Sequence, residues 1–216
     1  MQITIREPGS AITHFVGMMM AVFASVPLLI KSGMSTGWTC FAAMGIFMLS
    51  MILLYGASTT YHAVNVSAAA LKIFRKIDHM MIFVMIAGSY TPVCLIVLGG
   101  KTGMLLLALV WGIALFGMTV NALWITCPKW FSSAVYIALG WVCILVFGQL
   151  RAVLPTGAFL WLLAGGIVYT IGGVIYALKL PIFNSRHENF GSHEIFHLFV
   201  IGGSICHFIF MYGYVA

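Results

Sequence analysis

Ser192-His193-Glu194-Ile195-Phe196-His197 opens an apolar run that reaches Val215. As a bare string it contains His-Glu-x-x-His, the two ligands and the base of soluble zinc proteases. Histidines four residues apart share one helix face, about one turn apart, which suits two ligands of one zinc ion. The run behind them changes the reading. It has the roughly 20 residues that a bilayer requires, and beyond Glu194 it carries no Asp, Glu, Lys or Arg. The motif therefore opens a membrane-spanning helix, and the other spans decide what it does there.

Six similar runs precede it. Spans are predicted at about 12–31, 39–62, 79–99, 103–124, 131–150, 158–179 and 194–215. Between the second and third, Asn65 to Lys76 reads as a polar loop. Of the 216 residues, 62% are hydrophobic and only 6% charged, against roughly a quarter charged in a soluble domain. Lipid admits only helices or closed barrels, and runs this long and continuous mean helices. The expected fold is all-α, a polytopic seven-transmembrane-helix bundle forming one domain over residues 1–216. Pro27 and Pro92 fall inside the first and third helices and are predicted to kink them. Paired glycines, Gly165 with Gly166, Gly172 with Gly173 and Gly202 with Gly203, read as close helix packing.

The formal net charge of +6 is scattered between apolar runs and forms no basic stripe, which argues against a nucleic-acid partner. Its placement sets topology instead. With the N-terminus cytoplasmic and the C-terminus outside, Arg6, Lys72, Arg75, Lys76, Lys129, Lys179 and Arg186 lie inside, and only Lys31, Lys101 and Arg151 outside. No cleavable signal peptide is expected, and the expected location is the cell (plasma or inner) membrane as a multi-pass protein. Membrane lipid is the environment and a candidate substrate; no soluble partner or oligomer is indicated. Five cysteines, an odd number with no Cys-x-x-Cys pair, argue against a disulfide framework or a thiolate metal site.

Ionisable groups inside a bilayer cost about 2.5–3.5 kcal/mol each on insertion scales, and so mark function. Starts of odd helices and ends of even helices face the same side of the membrane. Glu7, His14, His62, Asp78, His193 and His197 should accordingly share one layer, on the cytoplasmic face by the charge distribution. A lone membrane histidine ordinarily makes a helix-to-helix hydrogen bond. A pair at i and i+4 with a third at matching depth points to metal, and an open zinc site needs three imidazoles with a carboxylate nearby. The expected ligands are His62, His193 and His197, with Asp78 as base or outer partner of the metal. Ser58 shares a face of the second helix with His62. His14 reads either as support for a ligand or as an interface residue. His207, deeper in the last helix, is expected to be packed and hydrogen-bonded, and His187 and Glu188 to sit in an inert solvated loop.

Taken together, these residues resemble the hemolysin III branch of the progestin and adipoQ receptor family, within a wider group of seven-helix membrane hydrolases that includes alkaline ceramidases. The resemblance runs from Glu7 and Thr13-His14 through Ser58-Thr59-Thr60-Tyr61-His62, Arg75-Lys76-Ile77-Asp78-His79 and Gly88-Ser89-Tyr90-Thr91-Pro92. It ends in Trp161-Leu162-Leu163-Ala164-Gly165-Gly166 and His193-x-x-x-His197-Leu198-Phe199-Val200, with Ser204 and His207. It implies seven helices with the N-terminus inside, and a zinc ion on His62, His193 and His197. Asp78 would hold the water on the metal, and Ser58 would line the site and steady a developing oxyanion. Two positions depart from the pattern. Ser10 stands where the branch often has asparagine, and Glu194 where relatives commonly have a small apolar residue. Glu194 is thus not the shared base, and its place in a first helical turn is explained by the helix dipole.

The expected function is a zinc-dependent hydrolase of a lipid amide or ester. Two alternatives come from other classes. One is a receptor-like or membrane-homeostasis protein in which zinc only ties helices together. The other is a pore-forming, hemolysin-like protein, against which stands the lack of a polar stripe along any helix.

Overall fold

The computed structural model describes residues 4–35, 37–124, 129–178 and 190–216, and all its regular structure is helical. In chain order the helices are α1 (Pro8–Ser35), α2 (Trp38–Ala63), α3 (Ala68–Pro92), α4 (Gly100–Leu123), α5 (Lys129–Gly140), α6 (Phe147–Val153), α7 (Thr156–Leu178) and α8 (Ser192–Phe210). A π-helical turn, Val93–Leu98, extends α3, and another, Met211–Val215, extends α8. A 3₁₀ turn, Val142–Val146, joins α5 to α6. Counted as continuous spans, seven helices among the described residues are long and apolar enough to cross a membrane. Their outward faces expose Phe23, Leu105, Phe116 and Leu145, apolar surface on a scale that water would not tolerate and acyl chains match.

Three spans differ from expectation. The third begins at Ala68, capped by Ser67, whose side chain accepts from the Ala70 N–H at 3.3 Å. The stretch read as a loop up to Lys76 is therefore largely helix, and Asp78 lies in its third turn rather than at its start. Long cationic side chains such as Lys72, which is exposed, reach water while their backbone stays helical. The membrane edge and the helix end are thus different places. The first span runs through Pro27 without interruption. At Pro92, by contrast, the ring has no N–H to give, and the winding loosens into the π turn, closed by Gly99 N–H to the Cys94 carbonyl at 3.0 Å. Gly99 and Gly100 follow with φ of 59° and 51°, a left-handed turn suited to glycine.

The fifth span is broken where a continuous helix was expected. Its α-helical winding stops at Gly140 and resumes at Phe147. One side chain repairs the gap: the Tyr90 hydroxyl donates to the Gly140 carbonyl at 2.6 Å and accepts from the Cys143 N–H at 2.9 Å. Irregular backbone at membrane depth is tolerated where protein satisfies it in this way.

Helix α1 packs on α2, α2 on α3, and α7 on α8, with α1 also touching α8. The core between them is filled by Phe47, Met48, Tyr55, Phe83 and Phe210. The glycine pairs seat side chains as well as backbone. A Cβ on Gly203 would meet the Tyr169 ring at 2.7 Å, and one on Gly165 would strike the His207 ring. The contact between α1 and α8 brings the start of the last span against the start of the first.

Candidate metal centre

His62 lies on the last turn of α2, and His193 and His197 on the first two turns of α8. The chain before α1 lies across the end of α2: Glu7 N–H donates to the His62 carbonyl at 3.0 Å, and the Arg6 guanidinium to the Tyr61 carbonyl at 2.7 Å. That path sets the Glu7 carboxylate against His62 Nδ1. On α8, the Glu194 carboxylate accepts from the Gly191 N–H at 2.8 Å and from the Ser10 hydroxyl. Each of its oxygens closes off a neighbour, so Glu194 ties α8 to α1, as its departure from the protease role requires. Ser10 and Glu194, the two positions expected to depart from the resemblance, are thus each other's partners.

The structure brings His62, His193 and His197 together, with one ring nitrogen from each within 4.8 Å of the others. His62 Nε2 and His193 Nε2 are 3.2 Å apart. Zinc–nitrogen bonds of about 2.0–2.1 Å in tetrahedral array hold nitrogens roughly 3.3 Å apart, so this spacing fits the ion. The outer partners fit as well. A carboxylate only accepts, so His62 Nδ1 carries the proton toward Glu7 and Nε2 keeps its lone pair. Thr13 Oγ1 lies 2.9 Å from the Gly9 carbonyl and 3.0 Å from that of Ser10, where its one proton goes. It therefore accepts from His197 Nδ1 at 3.2 Å, leaving Nε2 of His197 as the ligand atom. Carboxylate or hydroxyl behind imidazole is the usual outer arrangement of a metal site. Among the described residues no fourth His, Cys, Asp or Glu joins the group.

Asp78 and Ser58 are both buried. Both line a cavity of about 140 Å³ whose one end also carries His14, His193 and His197. The cavity continues into apolar wall, including Ile82, Met85 and Val200, and reaches His207. His14, left open by sequence, is buried and stacks on His197 with ring centroids 3.5 Å apart and planes 9° from parallel. It packs the back of a ligand. His207 corrects an expectation: it is buried, yet neither ring nitrogen closes a hydrogen bond of ordinary geometry. His187 and Glu188 lie outside the described residues. Glu7 belonged to the predicted polar layer, but its part behind His62 was not anticipated, since only the path of the chain before α1 reveals it.

Replacing Glu7 by Gln keeps the shape and removes the charge that holds the His62 proton. Zinc affinity should fall about 10- to 100-fold, as read by competition with a fluorescent chelator, with the purified protein otherwise folded.

Comparison with known proteins agrees with the pattern. The family model described as Haemolysin-III related matches residues 2–208. The chain is 34% identical to "Hemolysin-3" of Bacillus cereus over 99% of its own length and 94% of that protein. It is 36% identical to "Hemolysin-3 homolog" of Bacillus subtilis, over 95% and 92% respectively. More distantly it is 26% identical to "Progestin and adipoQ receptor-like protein 1" of Caenorhabditis elegans, covering half of that longer protein.

Proposed function

The chain belongs to the haemolysin-III related family of integral multi-pass membrane proteins, and on that footing we propose that it is a zinc-dependent hydrolase of an amide- or ester-linked lipid. The observation that carries this reading is the meeting of three imidazoles, two of which line one apolar cavity together with a buried aspartate. His62, His193 and His197 hold the ion, and Glu7 and Thr13 keep their rings turned toward it. Zinc, when bound, supplies a Lewis acid for the carbonyl and acidifies water at neutral pH.

The protein's own groups do the rest. The Asp78 carboxylate accepts the proton of the attacking water and passes it to the leaving group. Ser58, which lines the same cavity, steadies the developing oxyanion. The apolar cavity wall takes an acyl chain and excludes bulk water, while the cluster sits at headgroup depth where the polar linkage lies. With the basic residues counted as above, that depth is on the cytoplasmic side and the C-terminus outside.

A structural site closes with a fourth protein ligand, whereas a catalytic one keeps a position for water, and among the described residues three candidate ligands meet. The test is to supply the purified protein with zinc and a panel of amide- and ester-linked lipids, following released acid and amine or alcohol by mass spectrometry. Turnover of one class supports the proposal; stoichiometric zinc with no turnover across the panel overturns it.

A further inference from the structure

The proposed chemistry uses the polar groups at one end of the cavity and leaves a histidine further along it without a part. That residue is His207, ten residues beyond His197 on α8, so about 15 Å further along the helix axis. It lines the cavity that holds Asp78 and His197, and also a second, smaller cavity of about 60 Å³ walled by Val93, Leu106 and Phe159. Tyr90, Trp141 and Gly166 border both cavities beside it. A chain threading from one chamber to the next must pass this ring.

Around it, the other polar side chains are spent on the protein. Ser89 donates to the Ile86 carbonyl at 2.7 Å, and Tyr90 is held at the break after Gly140. Trp141 Nε1 donates to Thr170 at 2.9 Å, and Thr170 to the Gly166 carbonyl at 2.7 Å. Tyr55 and Tyr169 both meet Ser204, at 2.6 and 2.9 Å. Both nitrogens of His207, in contrast, are buried without a properly formed hydrogen bond. Gly165 leaves the room the ring occupies, so the imidazole is accommodated by design of the neighbouring helix. A neutral imidazole offers one donor and one acceptor. The Leu162 backbone lies beside the ring, and a carbonyl can serve only the N–H. The acceptor nitrogen is left needing a donor, and a buried polar group in that state calls for an explanation.

We infer that His207 is a second recognition point of this cavity, accepting a hydrogen bond from a hydroxyl carried partway along a ligand's acyl chain. The substrate class is thereby narrowed to lipids whose chain bears a hydroxyl distant from the hydrolysed linkage. This rests on the lipid reading of the cavity given above. The wall selects for hydrocarbon, the three-histidine end for the polar linkage, and His207 for one oxygen between.

The probes are stearate, a stearate hydroxylated beside the carboxylate and a stearate hydroxylated mid-chain, titrated calorimetrically into zinc-loaded full-length protein. Mid-chain hydroxylation should tighten binding by up to about tenfold over stearate, the worth of one well-placed hydrogen bond, and hydroxylation beside the carboxylate should not. His207→Phe should abolish that preference, and His207→Gln should retain part of it. Equal affinities for all three acids overturn the assignment of His207 but leave the acyl-chain cavity standing, as would be the case were a water its partner. No binding of any of them overturns both. If His207→Phe does not fold, the ratio between the two hydroxylated isomers in the unaltered protein decides alone.

Discussion

His62→Ala is expected to purify without zinc under conditions in which the unaltered protein carries it. Structural zinc binding of about 10–16 kcal/mol is shared among the ligands, so losing one imidazole removes on the order of 3 kcal/mol, a hundredfold or more in affinity. His62 is the informative choice because it alone reaches the cluster from α2, whereas His193 and His197 share α8. Its loss therefore also removes one tie between two helices, which the Tyr55–Ser204 hydrogen bond still joins. A ligand bound only by the folded state stabilises it by mass action, so stripping the unaltered protein with a chelator should lower its melting temperature in detergent. The melting temperature of His62→Ala should already be lowered and should not respond to the chelator. Elemental analysis beside the melting curve reads both effects. A variant that keeps full zinc occupancy would mean that the cluster does not hold the ion.

The second large effect is on rate. Asp78→Asn preserves shape but removes the basic oxygen. Loss of a positioned general base costs about 10²- to 10⁴-fold, and kcat on a lipid found to be turned over should fall by that much. Zinc content should stay at the unaltered level, because Asp78 lies outside the group of ligand nitrogens. The pairing of the two measurements is what gives the variant its force. A rate within tenfold of the unaltered protein, with zinc retained, would remove Asp78 from the chemistry; a loss of zinc would recast it as part of the metal's support.

Much of the bundle was legible because the bilayer imposes a length and an apolar composition on each span. The grouping of His62, His193 and His197 followed from two simple constraints: i and i+4 spacing fixes a helix face, and the alternation of span direction fixes depth. Asp78 was placed in the right layer for a partly wrong reason. Its helix starts at Ala68, and the charges that looked like loop ride on helical backbone. Composition reports where lipid ends, not where winding ends. The break after Gly140 was invisible, since the residues around it are as apolar as any span and the compensating hydroxyl of Tyr90 is 50 positions away. The role of Glu7, the stacking of His14 and the bare nitrogens of His207 share that origin. They depend on which side chains meet across helices, and spacing within one helix carries no record of it.

The phenol of Tyr90 has a mechanical corollary. Along a regular helix each peptide is braced by its neighbours on the same stretch of chain. At the break, two peptide groups hang from one oxygen on a different helix. Parting the wall from that oxygen forfeits roughly two hydrogen bonds, each worth about 1 kcal/mol net, while the turn keeps its own bond from the Ile144 N–H to the Trp141 carbonyl at 3.0 Å. Tyr90 therefore fixes the wall alongside Trp141, which borders both chambers.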